Sequence, residues 1–432
     1  MVLNNIFSRS APSRIDEIDT QETTLNLETE MTTPYFSERM KRIKASPSAM
    51  MSQHARELKA QGLDIIALSS GEPDFQTPDH VIEAANAAAV RGETKYTSTG
   101  GTAEIKDAII SKFTRENGLS YTAEEIIVGN GTKQVIFNAL MSGTDNGQEV
   151  ILPAPFYIAY FDMVKFAGGI PKIVKCSAEQ DFKISAEQLA NSITPKTRWL
   201  ILNSPNNPTG AVYEEFDFRQ LADVLLEHPH VGIISDDVYE HVIFDGLRFA
   251  NLVAVEPALK ERTVVANGLS KAYAMTGWRI GYAGASKQMI SEMIKLQSLI
   301  TSGANSVAQA AAVAALNGPQ GFLPKRANLF EERRDLVVSM LNQAEGLECA
   351  RPKGAFYVYP SCAGVIGKKT PTGQVIENDE DFVRYLLETE NVATVHGSVY
   401  GLSPHFRISY ATDKNSLIKA CEKIQRACAV LR

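Results

Sequence analysis

Gly268-Leu269-Ser270-Lys271-Ala272-Tyr273-Ala274-Met275-Thr276-Gly277-Trp278-Arg279-Ile280-Gly281 sets a lysine among small residues, with a fixed cation shortly after it. The apolar, strand-like run Thr263-Val264-Val265-Ala266 precedes this stretch, and Trp278-Arg279-Ile280-Gly281-Tyr282-Ala283 reads as a second strand. A lysine between two buried strands loses hydration, which lowers its pKa and leaves part of the amine unprotonated. Such an amine can form a Schiff base with an aldehyde, and Arg279, a fork-shaped permanent cation, suits a phosphate on the same molecule. Pyridoxal 5′-phosphate carries both groups. A buried lysine in an ordinary ion pair is the competing reading of the same residues.

Upstream, Val231-Gly232-Ile233-Ile234-Ser235-Asp236-Asp237-Val238-Tyr239-Glu240 reads as a short apolar strand ending in a carboxylate, with a tyrosine close behind. In open α/β sheets, ligands sit at the carboxyl ends of strands. A carboxylate there keeps a pyridine nitrogen protonated and makes the ring an electron sink, the role expected of Asp236. Tyr239 is expected to donate to the cofactor's phenolic oxygen. The strand-like Trp199-Leu200-Ile201-Leu202 runs into Asn203-Ser204-Pro205-Asn206-Asn207-Pro208-Thr209-Gly210, where prolines and a glycine stiffen the turn. Asn207 then becomes a rigid donor to the same oxygen. Alone, Asn-Pro-Thr-Gly reads as an ordinary turn.

Taken with Ser70-Gly71-Glu72-Pro73-Asp74-Phe75, Thr94-Lys95-Tyr96, Thr132-Lys133-Gln134, Gly354-Ala355-Phe356-Tyr357 and Phe406-Arg407-Ile408-Ser409-Tyr410-Ala411, the chain resembles the fold type I pyridoxal-phosphate enzymes. More narrowly, it resembles class I aminotransferases of the bacterial aspartate aminotransferase subgroup, with rhizobial and thermophilic members. The resemblance runs from about Arg42 to the C-terminus. It implies an α/β fold: a large domain with a mostly parallel sheet of the seven-stranded type, and a smaller α+β domain.

The resemblance also assigns roles. After the strand Glu125-Ile126-Ile127-Val128, a glycine turn opens an amphipathic helix, whose free N–H groups and positive dipole end make Gly131, Thr132 and Lys133 a phosphate cradle. Gln134 stands where a dinucleotide fingerprint needs its third glycine, which weakens a Rossmann alternative. Ser270 joins the cofactor-binding set. Tyr96 is similar to a tyrosine that reaches the neighbouring subunit's phosphate, which implies a homodimer with shared active sites. Tyr157 matches an aromatic that stacks on the pyridine face, where close relatives usually carry tryptophan, so the pocket is roomier. Arg407 matches the arginine that binds the substrate's α-carboxylate bidentately, and Gly71 joins the substrate set. Lys133 matches the distal-carboxylate lysine, provided its side chain does not turn outward. Ser46 and Ser48, within Arg42-Ile43-Lys44-Ala45-Ser46-Pro47-Ser48, fall at substrate-side hydroxyl positions. Ala310, after Gln309, replaces another tryptophan of close relatives.

Composition agrees with a globular enzyme. The chain has 432 residues, a hydrophobic fraction of 44% and a formal charge of −7. That length calls for more than one domain, and interspersed acids and bases give no basic stripe for nucleic acid. Cys176, Cys349, Cys362, Cys421 and Cys428 show no paired framework, which points to free thiols and a reducing, cytoplasmic location. His228 and His230 lack a ligand cluster, so no metal site is expected. No apolar run is long enough to span a bilayer. Residues 1–34 are polar, fit neither a secretory signal nor a transit peptide, and are expected to be a disordered extension, with Met31 an alternative start.

Strand-like runs at 64–69, 125–129, 149–153, 170–175, 198–203, 231–236, 262–267 and 278–284 alternate with helical patterns. The expected organisation is a large cofactor-binding domain over 75–325, a linking helix over 326–345, and a small domain from 35–74 and 346–432.

The expected activity is ping-pong transamination of an L-amino acid, aspartate or glutamate, with a 2-oxo acid such as 2-oxoglutarate. Lys271, Asp236 and Tyr239 are the expected catalytic residues. An aromatic or prephenate aminotransferase, or a lyase on the same fold, is the nearer alternative. A pyridoxal-phosphate regulator needs a fused helix-turn-helix region, which the acidic N-terminal stretch does not supply.

Overall fold

The computed structural model describes residues 35, 37–43 and 47–432. Twelve strands appear among them: β1 Ile66–Ala67, β2 Ile126–Gly129, β3 Glu149–Ala154, β4 Ile170–Lys175, β5 Thr197–Asn203, β6 Gly232–Asp236, β7 Thr263–Gly268, β8 Gly281–Gly284, β9 Tyr357–Val358, β10 Val392–Ala393, β11 Val395–His396 and β12 Phe406–Ser409. Seven form one sheet in the order β2-β8-β7-β6-β5-β3-β4. Neighbouring pairs from β4 through β7 are parallel, and β8 runs antiparallel to both β7 and β2. The alternation of strand and helix expected from the sequence therefore produces a mostly parallel α/β sheet.

Burial explains the composition of these strands. Every residue of β2, β6, β7 and β8 is buried, as expected where helices cover both faces of a parallel sheet. The edge strand β4 is the exception: it alternates exposed with half-buried positions and carries Pro171, Lys172 and Lys175. Proline and charge on an edge discourage pairing with another chain. The helices Ala159–Phe166 and Glu215–Glu227 make the crossovers from β3 to β4 and from β5 to β6. In the second, Phe218, Leu221, Ala222 and Leu225 form the buried stripe, the helical period of an amphipathic segment.

A second sheet, β11-β12-β9, is antiparallel. The helices Asp379–Glu390 and Lys414–Ala429 supply Phe382, Leu386, Leu417 and Ile424 to the core that also holds Tyr357, Val358 and Ile408. A long helix, Phe322–Leu341, adds Phe330 and Val337 to that core. It starts and ends a few residues before the expected 326–345.

Two expected strands differ from the structure. The run 64–69 reduces to the two residues of β1, which pair in parallel with β10, within the segments expected to form the small domain. The run 278–284 begins only at Gly281, because Arg279 adopts φ 56°, a left-handed conformation that no strand accommodates. That turn frees the Arg279 side chain from the sheet.

Candidate active site

Asn203, Asp236 and Gly268 end β5, β6 and β7 at the same edge of the sheet, where parallel strands place ligands. A cleft of about 450 Å³ opens there. Its walls bring together Gly71, Thr132, Lys133, Tyr157, Asn207, Asp236, Tyr239, Ser270, Lys271, Arg279 and Arg407. These come from loops and strand ends scattered over most of the chain.

Lys271 lies just past the end of β7, and its Nζ donates to the Gly71 carbonyl at 2.7 Å. Burial pushes the amine down to about 8, with Arg407 and Arg279 adding to the fall and Asp236 and Glu72 opposing it. An amine in that range is a competent nucleophile and base near neutral pH.

Asp236 stands at the carboxyl end of β6 and is buried. Its Oδ2 accepts from the Tyr160 hydroxyl at 2.5 Å and its Oδ1 from the Val238 N–H at 3.4 Å. Burial pushes the carboxyl up to about 6, against the Tyr160 and Val238 hydrogen bonds, which favour the anion. Tyr160 escaped the sequence reading. Its spacing from Tyr157 was the available signal, because residues three apart at a helix start share a face; the two rings meet edge-on at 5.4 Å.

One end of the cleft is built for an anion. The helix Thr132–Gly143 begins without a side-chain cap, its N-cap being Gly131 at φ 87°, so its first main-chain N–H groups lack intrahelical acceptors. A Cβ on Gly131 would lie 2.4 Å from Arg279 Nη2, and one on Gly281 would lie 2.0 Å from the Thr132 nitrogen. Glycine at both positions lets the guanidinium and β8 close around the helix start. Arg279 is fixed by donating to the carbonyls of Thr276 at 2.8 Å and Asn130 at 3.2 Å. The Thr132 hydroxyl donates to the Asn267 carbonyl at 3.0 Å, so it anchors the helix to β7.

Arg407, on β12, lines the same cleft. It donates through Nη1 to Asn207 Oδ1 at 3.0 Å and through Nη2 to the Ser69 carbonyl at 2.6 Å. With Oδ1 turned to Arg407, the Asn207 amide presents its NH₂ as a donor, while the Asn207 N–H is held by Asn203 Oδ1 at 2.8 Å. Tyr239 and Tyr357 share a hydroxyl hydrogen bond of 2.8 Å. Tyr357 also lines the cleft, a position that the motif Gly354-Ala355-Phe356-Tyr357 carried without a role attached.

Lys133 is exposed yet lines the cleft, with Nζ 5.6 Å from the centre of the Tyr157 ring. Of the other expected site residues, Gly131 caps the helix beside the cleft without lining its wall. Tyr96 is 96% exposed on this chain and absent from the cleft wall. Ser46 lies outside the described residues, and Ser48 belongs to the helix Pro47–Ala60 with its side chain likewise outside them.

Elsewhere, Glu116, Glu240 and His241 cluster as metal ligands might among the described residues. The Lys112 ammonium contacts both carboxylates, so a protein cation already supplies the charge there.

The model of class I and II aminotransferases matches residues 63–424. A probable aspartate/prephenate aminotransferase of Rhizobium leguminosarum bv. phaseoli is 53% identical, over 92% of this chain and 100% of the relative. The aspartate aminotransferase of Rhizobium meliloti (strain 1021) is 52% identical, over 90% of this chain and 95% of the relative. Among solved structures, the Rhizobium meliloti aspartate aminotransferase superposes with a TM-score of 0.90 at 51% identity, covering 93% of this chain and 100% of that one. The Thermus thermophilus aspartate aminotransferase with maleate gives 0.86 at 38% identity, covering 91% and 100%.

Proposed function

Because the chain belongs to the class I and II aminotransferases, we propose that this aminotransferase holds pyridoxal 5′-phosphate and takes aspartate or glutamate as amino donor, with a 2-oxo acid such as 2-oxoglutarate as acceptor. The observation that carries the reading is Lys271: an amine whose pKa burial brings down to about 8, in a cleft whose wall also carries an anion cradle and a buried arginine.

The donor set fits the cofactor. Thr132 and Lys133 offer main-chain N–H groups to the phosphate, with Ser270 and Arg279 beside them; the Gly131 N–H is spent on the Gly129 carbonyl at 2.9 Å, and residue 131 contributes by lacking a Cβ that would displace Arg279. When bound, the cofactor supplies an aldehyde that bonds the amino group and a ring that delocalises the electron pair left at Cα. Asp236 holds a proton at the ring nitrogen. Tyr239 and Asn207 donate to the phenolic oxygen, and Tyr157 covers the ring face. Lys271 Nζ takes the proton from the substrate Cα. Arg407 pairs with the α-carboxylate and so fixes which Cα bond faces that amine. Lys133, at the cleft wall, pairs with the distal carboxylate.

The same proposal includes a homodimer in which Tyr96, exposed on its own chain, completes the partner's phosphate site. It also divides the chain into a large domain, 75–325, and a small one from 35–74 and 346–432; the core around the three-stranded sheet draws mainly on the second set, with Val238, Tyr239, Val242 and Phe244 joining it from the first. The five buried free cysteines support a reducing, cytoplasmic setting. No helix among the described residues is long and apolar enough to cross a membrane.

A second reading, use of prephenate or aromatic substrates, is favoured by an apolar recess of about 280 Å³ beside the cleft, lined in part by Lys133, Phe137, Tyr157, Met163 and Phe166. Half-reaction absorbance changes of the pyridoxal-phosphate form with aspartate, glutamate, phenylalanine and alanine, and of the pyridoxamine-phosphate form with prephenate, separate these readings. Aspartate is expected to react fastest of the amino acids, and Lys271→Ala to carry none of them through to amino-group transfer. Full activity in Lys271→Ala would end the assignment.

A further inference from the structure

Arg407 is more enclosed than its hydrogen bonds require. Its guanidinium carbon lies 4.8 Å from the centre of the Tyr357 ring and 5.3 Å from that of Tyr400. Of five guanidinium donors, one is committed to Asn207 and one to the Ser69 carbonyl, and the buried Nε has no hydrogen-bond partner among the described residues. Two hydrogen bonds fix the tips of the fork but leave its tilt to be set by packing.

Tyr400 is placed to set it. The residue is 0% exposed and absent from the cleft wall, so it meets the guanidinium from behind. It closes the short helical turn Gly397–Tyr400. Its own carbonyl accepts from the Phe156 N–H at 3.1 Å, and its ring meets Tyr359 edge-on at 6.0 Å. Tyr359 is itself pinned, donating to the carbonyls of Gly397 at 3.0 Å and Leu402 at 2.7 Å. Among the described residues, the buried Tyr400 hydroxyl has no hydrogen-bond partner. A phenol in that state gains nothing from its O–H, so the ring face is what Tyr400 brings to Arg407.

We infer that Tyr400 is a positioning residue for substrate binding: its ring, with that of Tyr357, holds the Arg407 guanidinium in the plane that a carboxylate pairs with. The inference rests on the assignment of Arg407 to the α-carboxylate. A desolvated cation over an aromatic face is favourable both electrostatically and by packing, and a preorganised fork loses less on pairing. Phenylalanine at position 400 keeps that face; leucine or methionine removes it.

The test uses the cofactor-loaded enzyme with maleate, a dicarboxylate, as the binding probe, and methylamine, which lacks a carboxylate, as the control. Tyr400→Leu is expected to weaken maleate about 10-fold, about 1.4 kcal/mol, and to raise KM for aspartate similarly, with kcat within about 3-fold. Tyr400→Phe should keep maleate affinity within about 2-fold, and the reaction with methylamine should be unchanged in both. Tyr400→Met replaces Tyr400→Leu if the latter does not fold. Unchanged maleate affinity in the leucine or methionine variant overturns the inference, as does a loss in Tyr400→Phe equal to theirs, or an equal loss for methylamine. Arg407→Leu separates the premise: if it leaves maleate affinity intact, the assignment of Arg407 itself fails.

Discussion

Lys271 Nζ donates to the main-chain carbonyl of Gly71 at 2.7 Å, and among the described residues the amine forms no ion pair. The distinction decides its chemistry. A carboxylate partner would favour the ammonium and raise the pKa, whereas a neutral carbonyl accepts a hydrogen bond from either protonation state. A buried lysine in an ordinary ion pair is thereby set aside, and burial dominates its titration.

The pH dependence of that amine follows with a definite sign. In cofactor-free protein, Lys271 is expected to react with an amine-directed acylating reagent at a rate that rises with pH and levels off above about 8. Arg407 lowers this pKa and Asp236 raises it, so Arg407→Leu should move the midpoint up and Asp236→Asn should move it down. Mass spectrometry of the Lys271 peptide across pH measures both. Shifts in the reverse directions would refute the electrostatic account.

Stability away from the cleft depends on Lys112. Its side chain is 0% exposed, and its ammonium contacts Glu240 and donates to Asn117 Oδ1 at 2.7 Å. Burial would push Glu240 up, but Lys112 and His241 beside it hold it below its usual range. Asn267 also donates to Glu240 at 2.8 Å, and the Asn267 carbonyl in turn anchors Thr132. Lys112→Met leaves a buried carboxylate uncompensated, at an expected cost of about 3–5 kcal/mol in urea unfolding. Adding Glu240→Gln should recover part of it. A single-variant loss below about 1 kcal/mol would contradict this.

Much of the cleft wall was readable from the chain because its residues sit where strands end. Asp236, Asn207 and Lys271 each follow an apolar run, and the strand pattern alone locates the carboxyl edge of a parallel sheet. Arg279 was placed inside a strand, since periodicity carries no sign of the left-handed turn that releases it. The residues missed, Tyr160, Tyr357 and Tyr400, act through contacts distant in sequence: Tyr160 meets Asp236 across 76 positions. Nothing local marks such partners. Lys112 and Glu240 pair across 128 positions, and neither segment alone shows that its charge is buried.

The proposed preference for an acidic donor rests on Lys133, which lines the cleft with its Nζ near the Tyr157 ring. A charged hydrogen bond contributes about 1.5–3 kcal/mol, equivalent to roughly 10–100-fold. Lys133→Ala is therefore expected to raise KM for aspartate by about that factor while leaving alanine nearly unaffected. Steady-state kinetics with both donors measures the ratio. Equal losses for the two amino acids would remove Lys133 from substrate recognition.

Gly131 gives the sharpest test of the anion cradle. Its φ of 87° is unfavourable for any residue with a Cβ, at a cost of about 1–3 kcal/mol. A methyl group there would also stand 2.4 Å from Arg279 Nη2, so the guanidinium must leave its bonds to Thr276 and Asn130. Gly131→Ala thus disturbs both the main-chain donors and the cation at one end of the cleft, while Lys271 and Asp236 at its centre keep their partners. The expected result is a weakening of pyridoxal 5′-phosphate binding by about 10–100-fold, with pyridoxal, which lacks the phosphate, bound as in the unaltered protein. Equilibrium dialysis of both ligands reads the difference. Equal weakening of the two would mean that the substitution disorders the cleft as a whole, and the assignment of this helix start to the phosphate would fall.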